Sequence, residues 1–141
     1  MTLGELFRSD VVTVEPSVTI RDAVQKMKES NVGTVVVTED RKAIGIMTDR
    51  DVALALATES VRPMTPVSEI MTRDILSIWE DQGVFSATQY FIDHGVRRLP
   101  IKNRDNELVG IVSADDLLVL LAKELYNVTQ CLRPSLATTT K

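Results

Sequence analysis

The sequence is poor in the residues from which most active sites are built. It holds one cysteine, Cys131, and one histidine, His94. A lone cysteine forms no internal disulfide, and neither residue makes a metal site by itself. Asp93, next to His94, points elsewhere on a helix, so His94 reads as a helix-end surface residue and Cys131 as a spectator. No nucleophile–base pair and no glycine-rich phosphate loop is present, which argues against an enzyme. A net charge of −4 gives no sign of a nucleic-acid surface. No apolar run reaches the roughly 18 residues that read as a membrane span. The first residues lack the basic segment followed by an apolar one that marks a secretory signal. These absences lead to the expectation of a cytoplasmic protein that binds neither membrane nor nucleic acid.

What is present is internal repetition. Shifted by 64 residues, Glu5 falls on Glu69, Asp10 on Asp74, Ala23 on Ala87 and Val32 on Val96. One extra residue near Asn103–Glu107 moves the offset to 65, which brings Gly45 onto Gly110, Ile46 onto Ile111 and Asp51 onto Asp116. A chain of 141 residues that is 44% hydrophobic is enough for one compact core. A half of about 60 residues buries too little apolar surface to be stable alone, so the halves are expected to pack on each other. The join, Glu59–Pro66, is too short to separate them.

Each copy reads in the same order. An amphipathic turn (Leu3–Phe7, Val67–Met71) precedes a short β-rich run (Val11–Val14, Ile75–Ile78). A helix follows over Thr19–Ser30, where Ile20, Ala23, Val24 and Met27 recur at helical spacing with Thr19 as N-cap. Its counterpart is Val84–His94, ended by Gly95 as Asn31 ends the first. Two strands come next: Thr34–Thr38 and Ala43–Met47, then Arg98–Lys102 and Leu108–Val112. A second helix closes each copy, Asp49–Thr58 and Ala114–Tyr126. The fold class is therefore α/β (α+β): two β-α-β-β-α repeats, residues 1–62 and 63–126, related by a pseudo-twofold with two equivalent clefts between them. Residues 127–141 read as a mobile polar tail. Leu117–Leu121 is too apolar all round for a monomer's surface helix, which points to burial against another chain.

The chemistry concentrates where the last strand of each copy enters its helix: Gly45-Ile-Met-Thr-Asp-Arg-Asp51 and Gly110-Ile-Val-Ser-Ala-Asp-Asp116. A hydroxyl at a helix start with a carboxylate three residues on makes a capping box, Thr48 with Asp51 and Ser113 with Asp116. The same carboxylate is also suited to accept hydrogen bonds from the 2′- and 3′-hydroxyls of a ribose. Spacing alone leaves both readings standing. Their repetition in register raises the second.

These two signatures, the element order and Val96-Arg-Arg-Leu-Pro-Ile101 resemble a tandem pair of cystathionine-β-synthase (CBS) domains, a Bateman module, over residues 3–126. The resemblance implies a stand-alone regulatory protein with no catalytic residues and no required cofactor. It implies binding of adenine nucleotides (AMP, ADP or ATP, with S-adenosylmethionine or NAD less favoured) and signalling to a partner protein whose identity is unknown. It also implies a homodimer.

Carried over residue by residue, the resemblance places Ser113 and Asp116 with Thr13, Val18, Val32 and Gly33 in one cleft. It places Thr48 and Asp51 with Ser77, Val96 and Arg97 in the other. Arg97, Arg98 and Arg50 are the phosphate candidates, arginine being suited to bidentate contact. The copies differ at Gly33-Thr34 against Arg97-Arg98, so the clefts are expected to be electrostatically unequal. Gln82 stands where the first copy has Val18, close to the expected base position. A ligand-free dimerisation module and a nucleic-acid-binding regulator are the alternatives.

Overall fold

The computed structural model describes residues 1–139. The elements are α1 (Leu3–Phe7), β1 (Thr13–Val14), α2 (Ile20–Ser30), β2 (Thr34–Glu39), β3 (Lys42–Thr48) and α3 (Asp49–Ala57). A 3-10 turn (Val67–Glu69) leads into β4 (Thr72–Arg73), β5 (Ile78–Trp79), α4 (Val84–His94), β6 (Arg98–Lys102), β7 (Leu108–Ser113) and α5 (Ala114–Thr139). The periodic helices form where their spacing places them. Thr19 Oγ1 accepts the Asp22 amide at 3.1 Å to cap α2. Asn31 (φ 53°) and Gly95 (φ 62°) end α2 and α4 in the left-handed region, which closes the last turn.

One expected boundary is wrong. The last helix does not stop at Tyr126 but continues through Asn127 to Thr139. The polar segment expected as a tail is thus helical up to that residue, and Thr140 and Lys141 lie outside the described residues. Sustained backbone pairing outweighs the modest helix propensities of Asn127, Val128 and Thr129.

Two sheets carry the repeats, one ordered β1-β2-β3-β4 and the other β5-β6-β7. In each, the short first strand runs parallel to its neighbour, and that neighbour pairs antiparallel with the next. Both antiparallel pairs bulge at the same point, Val37/Thr38 and Ile101/Lys102. Strand alternation then sorts the side chains. Val35, Val37 and Met47 enter one core with Ile20, Ala23 and Met27 of α2. Leu99, Ile101 and Val112 enter the other with Ile78, Ala87 and Leu117. Val36 and Pro100 are fully buried yet belong to neither core, because they sit on the opposite sheet faces, turned toward the other repeat.

The two cores are completed crosswise. Leu3, with no exposed surface, packs in the core of the second repeat, and Val67 and Met71 pack in the core of the first. Backbone hydrogen bonds fix both crossings. Leu3 N donates to Gln82 O at 2.8 Å and Gly4 N to Glu80 O at 2.9 Å. In the counterpart, Val67 N donates to Val18 O at 2.8 Å and Ile20 N to Thr65 O at 2.9 Å. Each crossing ends against the last strand of the other repeat: β4 pairs with β3 at Gly45, and Arg8 bridges Gly110. Full burial of a leucine is worth about 1.5–3 kcal/mol, so each repeat draws stability from a segment that precedes the other in sequence.

Candidate inter-repeat clefts

The strand-to-helix junctions form as capping boxes. Thr48 Oγ1 accepts the Asp51 amide at 3.2 Å, and Asp51 Oδ2 accepts the Thr48 amide at 2.9 Å. Ser113 Oγ accepts the Asp116 amide at 3.0 Å, and Asp116 Oδ2 accepts the Ser113 amide at 2.9 Å. Each box satisfies donors that a helix start leaves unpaired. In both boxes the cap takes only Oδ2. No described residue donates to Oδ1 of either carboxylate. Capping and ligand binding are therefore compatible uses of one side chain.

Each junction opens onto a cavity walled by both repeats. Cleft one, of about 400 Å³, joins Ser113, Asp116 and Ile111 of the second repeat to Val32, Gly33, Thr34 and Val36 of the first. Cleft two, of about 780 Å³, joins Thr48, Asp51 and Ile46 of the first repeat to Val96, Arg97 and Arg98 of the second. Arg50 lines cleft two and is exposed. Both cavities are thus lined from the two repeats together.

Three expected residues are not in the clefts. Thr13 and Val18 line a separate concavity with Lys26 and Arg41, and Ser77 lies in a small recess with Pro100 and Lys102. The residues found instead are Asp10, Val11 and Val12 in cleft one and Asp74, Ile75 and Leu76 in cleft two. Thr13 and Ser77 are equivalent positions, so both misplacements have one cause. β1 runs parallel to β2, which puts the chain before β1 beside the start of β2 at the cleft. The expected positions lie farther along the chain, past that end, although Thr13 stands opposite Val36 on the face turned toward the other repeat. The signal was available in the matched Asp10–Val12 and Asp74–Leu76 segments. Gln82 is not in cleft two either; its carbonyl holds the amide of Leu3.

The Gly33/Arg97 difference has a local explanation. A Cβ on Gly33 would lie 2.9 Å from Asp49 Oδ2. The residue equivalent to Asp49 in the second repeat is Ala114, whose small side chain leaves room for Arg97. In both repeats the first helical amide is tied to the same place, Asp49 N to Gly33 O at 3.0 Å and Ala114 N to Arg97 O at 2.9 Å. Cleft two consequently carries Arg50, Arg97 and Arg98 beside Asp49, Asp51 and Asp74, whereas cleft one has Arg98 beside Asp10 and Asp116.

His94 packs edge-on against Tyr90 with ring centroids 5.7 Å apart, at the end of α4 and outside both clefts. Cys131 is exposed on α5. Among the described residues no cluster of three metal-ligating side chains occurs, and no helix is long and apolar enough to cross a membrane.

This architecture, two β-α-β-β-α units exchanging their leading segments around paired clefts, defines a class. The CBS domain family model matches residues 3–58 and 67–123, and the chain belongs to that family. It is 40% identical over 118 residues to the CBS domain-containing protein YhcV of Bacillus subtilis, covering 84% of each chain. It is 33% identical over 120 residues to protein MK0525 of Methanopyrus kandleri, covering 84% of this chain but spanning only 61% of that protein. Among solved structures, the CBS domain pair of protein MJ0100, in complex with 5′-methylthioadenosine and S-adenosyl-L-methionine, superposes with a TM-score of 0.77. Its identity is 22%, with 88% of this chain and 98% of that chain covered. The CBS domain protein PAE2072 of Pyrobaculum aerophilum, complexed with AMP, gives a TM-score of 0.75 at 23% identity, covering 87% and 99%. At these identities the two structures establish the fold.

Proposed function

We propose that the chain is a regulatory module that binds an adenosine-containing ligand in its inter-repeat clefts and passes the change of state to a partner protein or across its own homodimer. The observation that carries this reading is the pair of clefts, each with a carboxylate that caps its helix through Oδ2 and keeps Oδ1 for a ribose diol. Ile46 and Ile111, one in each cleft, supply apolar surface for the faces of a base. Three arginines make cleft two the better site for a phosphorylated ligand of the AMP, ADP or ATP class. That MJ0100 takes S-adenosylmethionine and methylthioadenosine, and PAE2072 takes AMP, supports the adenosine class without choosing among its members.

Each cleft is walled by both repeats, so a ligand that fits one relative placement of the repeats better than another shifts the balance between them. Exposed apolar side chains on α4 and α5, Phe85 and Ile92 with Leu118 and Leu125, form the surface for a second copy of the chain. The readout surface would be the face of the assembled dimer.

The test is a thermal-shift panel on the whole chain with AMP, ADP, ATP, NAD, S-adenosylmethionine and methylthioadenosine, repeated on Asp51→Ala and Asp116→Ala. A ligand at about 100 times its dissociation constant adds roughly 2.7 kcal/mol. A rise in melting temperature that one aspartate variant abolishes is the expected result. A folded dimer that responds to none of them overturns the reading in favour of a ligand-free dimerisation module, in which the carboxylates serve only as caps.

A further inference from the structure

Arg98 lines both clefts. Its neighbour Leu99 is fully buried in the second core, so alternation turns Arg98, with Pro100, toward the first repeat. In β6 it stands opposite Ser113, the hydroxyl of cleft one, and next to Arg97, which lines cleft two. The equivalent residue of the first repeat is Thr34, which lines cleft one alone. The pseudo-symmetry is thus broken by one side chain long enough to serve two sites. No described carboxylate forms a salt bridge with Arg98.

We propose that the two clefts share the Arg98 guanidinium and that this sharing makes phosphorylated ligands bind with negative cooperativity. The inference rests on the adenosine-binding reading above. Cleft one has no other cation; its charged lining is otherwise Asp10 and Asp116. Cleft two also offers Arg50 and Arg97. A phosphate in cleft two recruits Arg98 as part of its cluster. A phosphate in cleft one then faces two carboxylates without a counter-charge. One guanidinium carries one positive charge however its five N–H donors are divided, so two phosphate groups cannot both be neutralised by it. A ligand without phosphate makes no claim on Arg98, and for it the clefts are independent.

The experiment is isothermal titration of the whole chain with AMP and, separately, with adenosine, using Asp116→Ala to assign the steps. Affinity of cleft one for AMP is compared between the wild type, where cleft two fills first, and Asp51→Ala, where it stays empty. The expected result is AMP binding to cleft one at least about fivefold tighter when cleft two is empty, within the usual range of allosteric coupling. With adenosine the two affinities agree within about twofold, and in the Arg98→Gln background the AMP difference disappears. Thr34→Arg, which leaves both aspartates intact, gives cleft one its own guanidinium. It restores AMP affinity in the weaker step and removes the separation between steps. AMP that enters cleft one only when cleft two is disabled is the limit of the same coupling.

The proposal is overturned by equal AMP affinities with cleft two filled or empty, by a difference that survives Arg98→Gln or recurs with adenosine, or by a cleft one that takes AMP in neither protein. If neither AMP nor adenosine binds any folded variant, the adenosine reading itself fails. Binding without coupling removes the present inference alone.

Discussion

The carbonyl oxygen of Phe7 occupies the space that a Cβ on Gly110 would need. The conflict is with backbone, which cannot rotate away. At Gly45 the corresponding Cβ would meet Met71 Sδ at 2.5 Å and Thr72 O at 3.1 Å, and the nearer atom belongs to a flexible side chain. The glycine of the repeated motif therefore makes room for the segment crossing from the other repeat. Gly110→Ala should destabilise by about 3 kcal/mol and Gly45→Ala by about 1–2 kcal/mol, at the two ends of the usual cost of overpacking. Urea denaturation monitored by circular dichroism measures both. Equal losses would show that the Phe7 backbone yields as easily as the Met71 side chain.

Ser113→Ala removes a cap acceptor but leaves the Asp116 carboxylate. It should cost about 1 kcal/mol of stability while retaining most of the ligand-induced shift from cleft one. Asp116→Ala should cost a similar amount and abolish that shift. Melting curves with and without AMP separate the two effects. If both variants lose the response equally, the hydroxyl is as much a ligand contact as the carboxylate.

The β2–β3 turn holds Asp40 and Arg41 at φ 51° and 66°, a two-residue hairpin turn that favours glycine at its second position. Arg41 contributes its carbonyl to the Leu108 amide at 2.8 Å, a bond that any residue keeps. Its side chain is 85% exposed and lies 3.7 Å from Glu107, so little is lost with it. Arg41→Gly should raise stability by about 0.5–1 kcal/mol through relief of left-handed strain. A fall in the urea midpoint would refute the strain argument.

Leu118, Leu121, Leu125, Val128 and Leu132 are all exposed on α5 and recur at alternating spacings of three and four. That spacing suits a seam against another helix. Leu125→Glu should convert the proposed homodimer to monomer, read by light scattering coupled to size exclusion, with the melting curve still cooperative. A monomeric wild type would remove the basis for this expectation.

Much of this structure was legible beforehand. Helical spacing located α2 and α4 to within a residue, and the matched glycines and aspartates placed both junctions. The crosswise packing was not legible, because β4 is two residues long and Leu3 carries no mark of which core it enters. The cleft lining was missed at Thr13 and Ser77 because how far along the chain the cleft lies depends on a register that a two-residue strand cannot announce. The length of α5 was missed because the polar composition of residues 127–141 reads as a tail. The exchange of Asp49 for Ala114, which admits Arg97, links residues that lie 16 or 17 positions apart in each repeat and becomes visible only in space.

The crossing segments also set an order of events during synthesis. The first core lacks Val67 and Met71 until the chain has grown past both, so the leading repeat leaves the ribosome incomplete. The second cannot close before Leu117 is made, and throughout that interval Leu3 has no core to enter. Contacts this distant along the chain are slow to form, and apolar segments waiting for partners are vulnerable to aggregation. A fragment ending at residue 62 would carry both defects permanently, which makes the pair, and not the repeat, the smallest heritable unit of this fold.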